Sequence, residues 1–206
     1  DGELVGYVTT KVALMEVLAV GAKPISIIDT LSVEYDPVGK EIIRGIEKTI
    51  NEVGLDSSIL NGSTEDNIKT YETGVGITVV GIIDDDLKIN SSYKGDVLAA
   101  IGIPLVGEEV LKNKNMMAEL VDLETLRKKC YVKEILPVGS KGIKYEAELM
   151  AKMSEVNIVY DKGLDLDLKK SAGPATVVLV SLAEKDFLQL REDFAHKPVN
   201  LVGRFV

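Results

Sequence analysis

The sequence of 206 residues predicts an α+β protein of two domains. Apolar runs of strand length alternate with segments in which apolar residues recur at helical spacing. A short polar stretch, residues 90–95, precedes a new apolar strand, and we place the boundary there, between domains of residues 1–92 and 93–206. A composition of 46% hydrophobic and 28% charged residues is ordinary for a globular protein.

In the first half, residues 4–10 are interpreted as a strand that leads into a helix over residues 11–20. Residues 25–31 are predicted to form a strand. The Asp-Pro pair at 36–37 begins a second helix, whose isoleucines recur at every fourth residue. Residues 74–83 are apolar almost throughout, which predicts a strand buried on both faces.

In the second half, strands are predicted at residues 97–103, 135–138, 176–182 and 199–206. Helices are predicted at residues 110–129, 139–155 and 187–194. The middle helix carries Ala147, Met150 and Met153 at helical spacing, and we interpret this stripe as core packing. The acidic run at 84–86 is interpreted as a solvated turn.

Charge and rare residues exclude several classes of function. A net charge of −9 argues against a nucleic-acid or anionic-membrane binder, and no apolar window is long enough to span a membrane. One cysteine and one histidine exclude an intrachain disulfide and multi-histidine zinc sites. We expect a cytoplasmic protein whose native start lies upstream of Asp1. Catalysis must then depend on carboxylates, lysines, backbone amides and a metal.

A polar stretch, Asn-Gly-Ser-Thr-Glu-Asp-Asn at residues 61–67, stands between apolar runs and is interpreted as a turn. Its backbone N–H groups could face phosphate oxygens while Glu65 or Asp66 holds a divalent cation. The alternative is an ordinary turn, because asparagine, glycine, serine and aspartate are also the standard turn residues.

Three segments carry a family resemblance. The first runs from Glu3-Leu4-Val5-Gly6 through residues 14–24 and ends at Asp29, and it contains the run Val-Ala-Leu-Met-Glu-Val-Leu-Ala-Val-Gly-Ala at residues 12–22. The second is Asn-Gly-Ser-Thr-Glu at residues 61–65, and the third is Gly-Asp-Val-Leu at residues 95–98. In this order they resemble the aminoimidazole ribonucleotide (AIR) synthetase-like superfamily, which includes thiamine monophosphate kinase and selenophosphate synthetase. The first two segments look closest to the α-ribazole kinase branch. The family's glycine-rich segment, which folds over the triphosphate, has no counterpart here.

The resemblance implies a fold in which the N-terminal sheets of two subunits pair into a shared barrel with outer helices, and the C-terminal domain is an α/β sandwich. It places Mg–ATP at Glu16 and at the segment Ser63-Thr64-Glu65, so we assign ATP to Gly62, Ser63, Thr64 and Glu65, and Mg²⁺ to Glu16, Glu65 and Asp66. Lys11 lies one and a half helical turns before Glu16, and we assign it to an ATP phosphate as a point charge. Ser171 and Gly173 belong to a small-residue turn that resembles the one facing the acceptor in this family. Ser140, Lys141 and Gly142 stand at a predicted helix start, where free N–H groups favour anions, and we assign both turns to the small-molecule substrate.

Other interpretations of these residues stay open. Lys11 is equally well explained as a surface lysine, and the two substrate turns as ordinary helix caps. Asp29 is interpreted either as a residue that contacts and orients the site residues without binding the ligand itself, or as a helix cap.

The predicted function is an ATP-dependent small-molecule kinase that acts as a homodimer, with α-ribazole as the first substrate to test. Phosphoryl transfer suits such a chain, because positioning and charge neutralisation suffice for it. The alternatives are an ATP-dependent synthetase of the AIR synthetase type and a nucleotide-binding homodimer without turnover. The shorter C-terminal domain puts a synthetase-type ring closure in doubt.

Overall fold

The computed structural model describes residues 1–83 and 87–206, so the acidic run at 84–86 lies outside the described residues. Contacts between residues divide the chain into two units. Among the described residues, the first unit consists of residues 1–18 and 22–83, and the second consists of residues 19–21 and 87–206. The predicted boundary at residues 92–93 stays a prediction. Among the described residues, no helix has the length and apolar character needed to cross a membrane.

The first unit contains two helices, α1 (Gly2–Ala19) and α2 (Lys40–Glu52), and three strands. The strands are β1 (Lys23–Leu31), β2 (Leu60–Thr64) and β3 (Val75–Ile82), in the order β2-β1-β3. Strand β1 pairs with β2 in parallel and with β3 in antiparallel orientation. The predictions of β1, α2 and β3 are confirmed.

The prediction of a strand at residues 4–10 is wrong, since this segment belongs to α1. Two glycines explain the difference, because they let α1 and α2 cross closely. A Cβ atom at Gly6 would lie 2.0 Å from the carbonyl oxygen of Ile42, and one at Gly45 would lie 2.0 Å from that of Glu3. The packing of the two helices thus overrides the strand propensity of the valines and threonines beside Gly6.

One face of the three-stranded sheet is buried and the other is exposed. Along β1, Ile27 and Leu31 are buried, whereas Ile25 and Ile28 are exposed. Strand β3 alternates in the same way, and its Val80 is 41% exposed. The expectation that β3 is buried on both faces is therefore wrong for a single chain.

The second unit is built on a five-stranded sheet in the order β5-β7-β4-β8-β6, with every neighbouring pair antiparallel. Its strands are β4 (Asp96–Ile101), β5 (Val132–Pro137), β6 (Ile158–Tyr160), β7 (Val178–Ala183) and β8 (Val199–Phe205). Its helices are α3 (Glu108–Lys112), α4 (Leu120–Arg127), α5 (Gly142–Met153) and α6 (Phe187–Asp193). The central strand β4 is buried along its whole length, and a core of aliphatic side chains packs around α5.

Three details of this unit differ from the sequence predictions. The helix predicted at residues 110–129 is divided into α3, a 3₁₀ turn and α4, because Glu119 and Asp122 form a capping box that begins a new helix. The three-residue strand β6 was not predicted. Met153 is 52% exposed, so the predicted methionine stripe belongs to the core only at Ala147 and Met150.

The polar stretch before β4 is held firmly on the second unit. The buried carboxylate of Glu134 accepts hydrogen bonds from the N–H groups of Asn90 (3.0 Å) and Ser91 (3.1 Å) and from the hydroxyl of Ser92 (2.8 Å). The polar composition of residues 90–95 suggested a linker, but three hydrogen bonds to the charged Glu134 carboxylate hold this segment in place.

Candidate active site

The segment at residues 61–67 is not a turn, because most of it forms strand β2. Asp29, Thr30 and Leu31 of β1 lie opposite Gly62, Ser63 and Thr64. Pairing with β1 satisfies the backbone of a strand whose glycine, asparagine and serine have poor strand propensity. Since the two strands are parallel, their carboxyl ends share one edge of the sheet.

Two adjacent carboxylates follow β2 at that edge. Glu65 accepts hydrogen bonds from the N–H groups of Asn67 (2.7 Å) and Ile68 (3.1 Å). Asp66 accepts one from the N–H of Tyr35 (3.0 Å), which follows β1, and one from the hydroxyl of Thr64 (3.0 Å). These bonds order both carboxylates beside the ends of β1 and β2.

The arrangement fits Mg²⁺ bound together with phosphate. Each carboxylate oxygen has lone pairs for more than one partner, so the hydrogen bonds leave room for a metal. Among residues 1–83 and 87–206, no group of three histidine, cysteine or acidic side chains is assembled that could hold a metal by itself. Magnesium usually binds through one or two carboxylates, with substrate phosphates and water as the other ligands. That Glu65 and Asp66 serve as this pair stays a prediction.

Glu16 lies at the other end of the sheet from this pair. The neighbouring Val17 packs against Gly81, which lies opposite Pro24, whereas Thr64 lies opposite Leu31. From Pro24 to Leu31 the strand advances about 23 Å at its usual rise per residue. Within one chain, Glu16 and Glu65 therefore cannot hold the same ion.

Lys11 is not a surface lysine. It is fully buried on α1, close to the buried Thr10 and Leu14. The burial of so long a charged side chain requires a partner, and Lys11 has one. The interpretation of Lys11 as an exposed residue is thus wrong, whereas its contact with ATP stays a prediction.

Asp29 is a buried carboxylate inside β1, with only 4% of its surface exposed. Burial raises the pKa of Asp29 above its ordinary value, and the hydrogen bond from the N–H of Ser63 acts in the opposite direction. The residue lies in the middle of a strand, so its interpretation as a helix cap is wrong.

The two predicted substrate turns come together in the second unit. The N–H of Ala172 donates to the carbonyl of Gly139 (3.2 Å), which joins residues 139–142 to residues 171–173. Gly142 has a positive φ of 81°, and a Cβ atom there would lie 2.7 Å from the carbonyl oxygen of Lys170. Only glycine meets both conditions, which fixes the turn before α5.

Some of the backbone donors at this turn are already used. The N–H of Gly142 donates to the carbonyl of Gly139 (3.3 Å), and that of Lys144 donates to the carbonyl of Leu168 (2.8 Å). The exposed side chains of Ser140 and Lys141 are therefore better placed to meet a substrate than these two amides. The ammonium group of Lys141 lies 4.1 Å from the ring centre of Tyr145.

Sequence reasoning missed Glu146 at this turn. Its carboxylate accepts a hydrogen bond from the N–H of Gly139, and burial raises its pKa although that bond and the charge of Lys141 lower it. An acidic residue one turn into a helix that opens with glycine was the available signal. Nothing in the sequence shows that this side chain reaches back to the preceding turn.

Known proteins resemble the chain in sequence over its first unit and in fold over its full length. Residues 1–83 match the family described as AIR synthase related protein, N-terminal domain. No curated protein matches the sequence significantly.

Solved structures share the whole fold at low sequence identity. The hydrogenase maturation protein HypE of E. coli is 14% identical over 98% of this chain and 73% of its own, with a TM-score of 0.75. A HypE structure in complex with ATP is 14% identical over 98% of this chain and 70% of its own, with a TM-score of 0.69. Thiamine-monophosphate kinase from Stenotrophomonas maltophilia K279a is 15% identical over 100% of this chain and 76% of its own, with a TM-score of 0.71. Residues 1–83 thus resemble the AIR synthase-related N-terminal domain in sequence, and the chain shares the fold of HypE and of thiamine-monophosphate kinase.

Proposed function

We propose that the chain is a Mg–ATP-dependent small-molecule kinase. The observation that carries the proposal is the pair Glu65 and Asp66, ordered beside Thr64 where the parallel strands β1 and β2 end. This edge lies within the residues that match the AIR synthase-related domain. Support also comes from the fold that the chain shares with a HypE bound to ATP and with a thiamine-monophosphate kinase.

Each group at the edge has a part in holding the nucleotide. Glu65 and Asp66 would hold Mg²⁺, which when bound neutralises phosphate charge. Ser63 carries a hydroxyl group that can donate a hydrogen bond to a phosphate oxygen, whereas the Thr64 hydroxyl donates to Asp66 and orders that carboxylate. Gly62 allows the β2 backbone to approach its neighbours closely. Lys11 is buried on α1 and is not one of the groups at this edge, so its contact with ATP stays a separate prediction.

The acceptor is proposed to bind at the paired turns of the second unit, through Ser140, Lys141, Gly142, Ser171 and Gly173. The first acceptor to test is α-ribazole, whose phosphorylation would give α-ribazole 5′-phosphate in cobalamin assembly. A hydroxyl acceptor suits the site, because the exposed Ser140 and Lys141 donate hydrogen bonds and the half-buried Glu146 accepts them.

We also propose that two copies of the chain pair in the cytoplasm through the exposed face of the first unit's sheet. Four aliphatic side chains on this face are between 38% and 45% exposed: Ile25, Ile28, Val80 and Ile82. Several exposed aliphatic side chains on one face of a sheet are typical of an interface. Glu16 stays a predicted ligand of the same metal only if the Glu16 of a second copy lies beside Glu65 and Asp66 of the first.

Product analysis tests the proposed reaction. The protein is incubated with Mg²⁺, ATP and α-ribazole, and the products are identified by mass spectrometry. We expect ADP and a nucleoside that has gained one phosphate. A parallel incubation replaces α-ribazole by a formylglycinamidine substrate, and ring closure there would instead establish the synthetase. Tight ATP binding without product in either incubation would establish the nucleotide-binding alternative.

A matched pair of variants locates the activity. Asp66→Asn keeps the shape of the side chain and removes one anionic ligand, so turnover should fall by about tenfold or more. Asp161→Asn is the control, because Asp161 also accepts a hydrogen bond from a nearby backbone N–H, that of Gly163 (2.8 Å), but lies in the second unit. Equal activity of Asp66→Asn and the parent would remove Asp66 from the site.

A further inference from the structure

Asp29 occupies a position where an apolar residue is the rule. Its side chain lies on the buried face of β1, between Ile27 and Leu31, which are both almost completely buried. A carboxylate on such a face loses its hydration, and it persists only where specific contacts require it. Two contacts of Asp29, both with the edge strand β2, show what this requirement is.

The first contact is with Gly62. A Cβ atom at this glycine would lie 2.0 Å from Oδ1 of Asp29 and 2.3 Å from Cγ. The carboxylate therefore fills the space that a side chain at position 62 would occupy. Asp29 and Gly62 lie directly opposite each other in the parallel ladder, so the two residues are matched in size.

The second contact is with Ser63, whose backbone N–H donates to the Asp29 carboxylate. This bond holds β2 one residue before Thr64 and three residues before Asp66. Strand β2 is an edge strand, paired only with β1 among the described strands, so its register depends on few interactions.

The effect of Asp29 on stability does not explain its presence. Because burial raises its pKa, the ionised form is less favourable in the folded protein than in the unfolded chain. Its contribution to stability is complete below the ordinary pKa of aspartate and is lost as the pH rises through the raised value. At neutral pH the burial of this carboxylate therefore costs stability.

We infer that Asp29 is a positioning residue: by accepting the Ser63 N–H and filling the space beside Gly62, it fixes β2 so that Thr64, Glu65 and Asp66 are held at the nucleotide edge. The inference rests on the proposed ATP site for its functional part. Its structural part, the fixing of β2, is independent of any activity.

Hydrogen exchange tests the structural part. In Asp29→Ala the amides of residues 60–64 should exchange about tenfold faster than in the parent, while the strands of the second unit keep their protection. Asp29→Asn retains an acceptor oxygen and the same shape, so its exchange should stay within about threefold of the parent. Unchanged exchange in Asp29→Ala would overturn the inference.

Steady-state kinetics test the functional part. Asp29→Ala should raise the KM for Mg–ATP by about tenfold and change kcat by less than about twofold, because Asp29 does not contact the reacting atoms. Asp29→Asn should restore the KM of the parent. Equal loss in both variants would show that the charge itself is needed and would overturn the positioning role.

The Asp29–Gly62 pair supplies an independent check. Gly62→Ala should raise the KM in the parent background, and it should have much less effect when Asp29 is already alanine, because the space is then free. Gly163→Ala is the control, since this glycine meets only the side chain of Asp161. Equal effects of Gly62→Ala in the two backgrounds would contradict the contact. If the parent binds no ATP, the proposed function fails, while the exchange experiment still decides the role of Asp29.

Discussion

Replacing Glu134 by alanine should release the stretch of chain that precedes β4. The Glu134 carboxylate is 7% exposed and accepts three hydrogen bonds, from the N–H groups of Asn90 and Ser91 and the hydroxyl of Ser92. The Ser92 side chain is itself almost completely buried. All three bonds are lost together when the carboxylate is removed.

The expected loss of stability follows from these bonds. A hydrogen bond to a charged group contributes about 1.5–3 kcal/mol, so three of them set an upper limit of about 9 kcal/mol. The two N–H groups are only partly buried and find water once released, whereas the Ser92 hydroxyl does not. Glu134→Ala should therefore lower the free energy of unfolding by about 3 kcal/mol. Glu134→Gln keeps an acceptor oxygen and should lower it by about half as much.

Urea unfolding monitored by circular dichroism measures this difference, and hydrogen exchange at Asn90 and Ser91 shows whether the segment is released. Glu108→Ala is the control, because Glu108 is 83% exposed and its ion pair is with Lys112, which is 71% exposed. It should leave the urea midpoint unchanged. A Glu134→Ala midpoint equal to that of the parent, with protected amides at residues 90 and 91, would refute the reasoning.

Two further predictions concern assembly and pH. Light scattering at micromolar concentration should show a dimer. Val80→Asp should give a folded monomer, because it places a charge on the exposed apolar face of the sheet. A monomeric parent would contradict the proposed pairing. Burial, and secondarily the charge of Glu148, raises the pKa of Tyr160 to about 12 from its ordinary value of 10.0, so the stability that this residue contributes is complete below pH 10 and is lost between about pH 10 and 12. Tyr160→Phe should remove that part of the alkaline loss and one late step from the ultraviolet titration of the tyrosines; an unchanged titration would contradict the assignment.

The sequence predicted correctly those helices and strands whose hydrophobic pattern matches the residues that they bury in the fold. In helix α2, Ile42, Ile46 and Ile50 recur at every fourth residue, and all three are buried. Strand β2 was missed because its composition favours a turn, and only pairing with β1 makes it a strand. The first half of α1 was missed because Gly6 serves the crossing with α2, which sequence periodicity does not reveal.

The candidate site was predictable in residue type but not in arrangement. Glu65 and Asp66 were predicted as metal ligands from their place in the polar stretch at residues 61–67, and the structure orders Asp66 beside Thr64. The separation of Glu16 from this edge depends on the direction of α1 relative to the sheet, for which the sequence carries no local signal. The role inferred for Asp29 depends on the strand register, which pairs it with Gly62.

Calorimetric titration of the protein with ATP tests the central claim most directly, because the claim is that Glu65 and Asp66 hold Mg–ATP at the end of β1 and β2. We predict binding that requires Mg²⁺, that weakens by about tenfold in Asp66→Asn, and that is unchanged in Asp161→Asn. ATP affinity that is equal in the parent and in Asp66→Asn, or an absence of binding by the parent in the presence of Mg²⁺, would contradict the account.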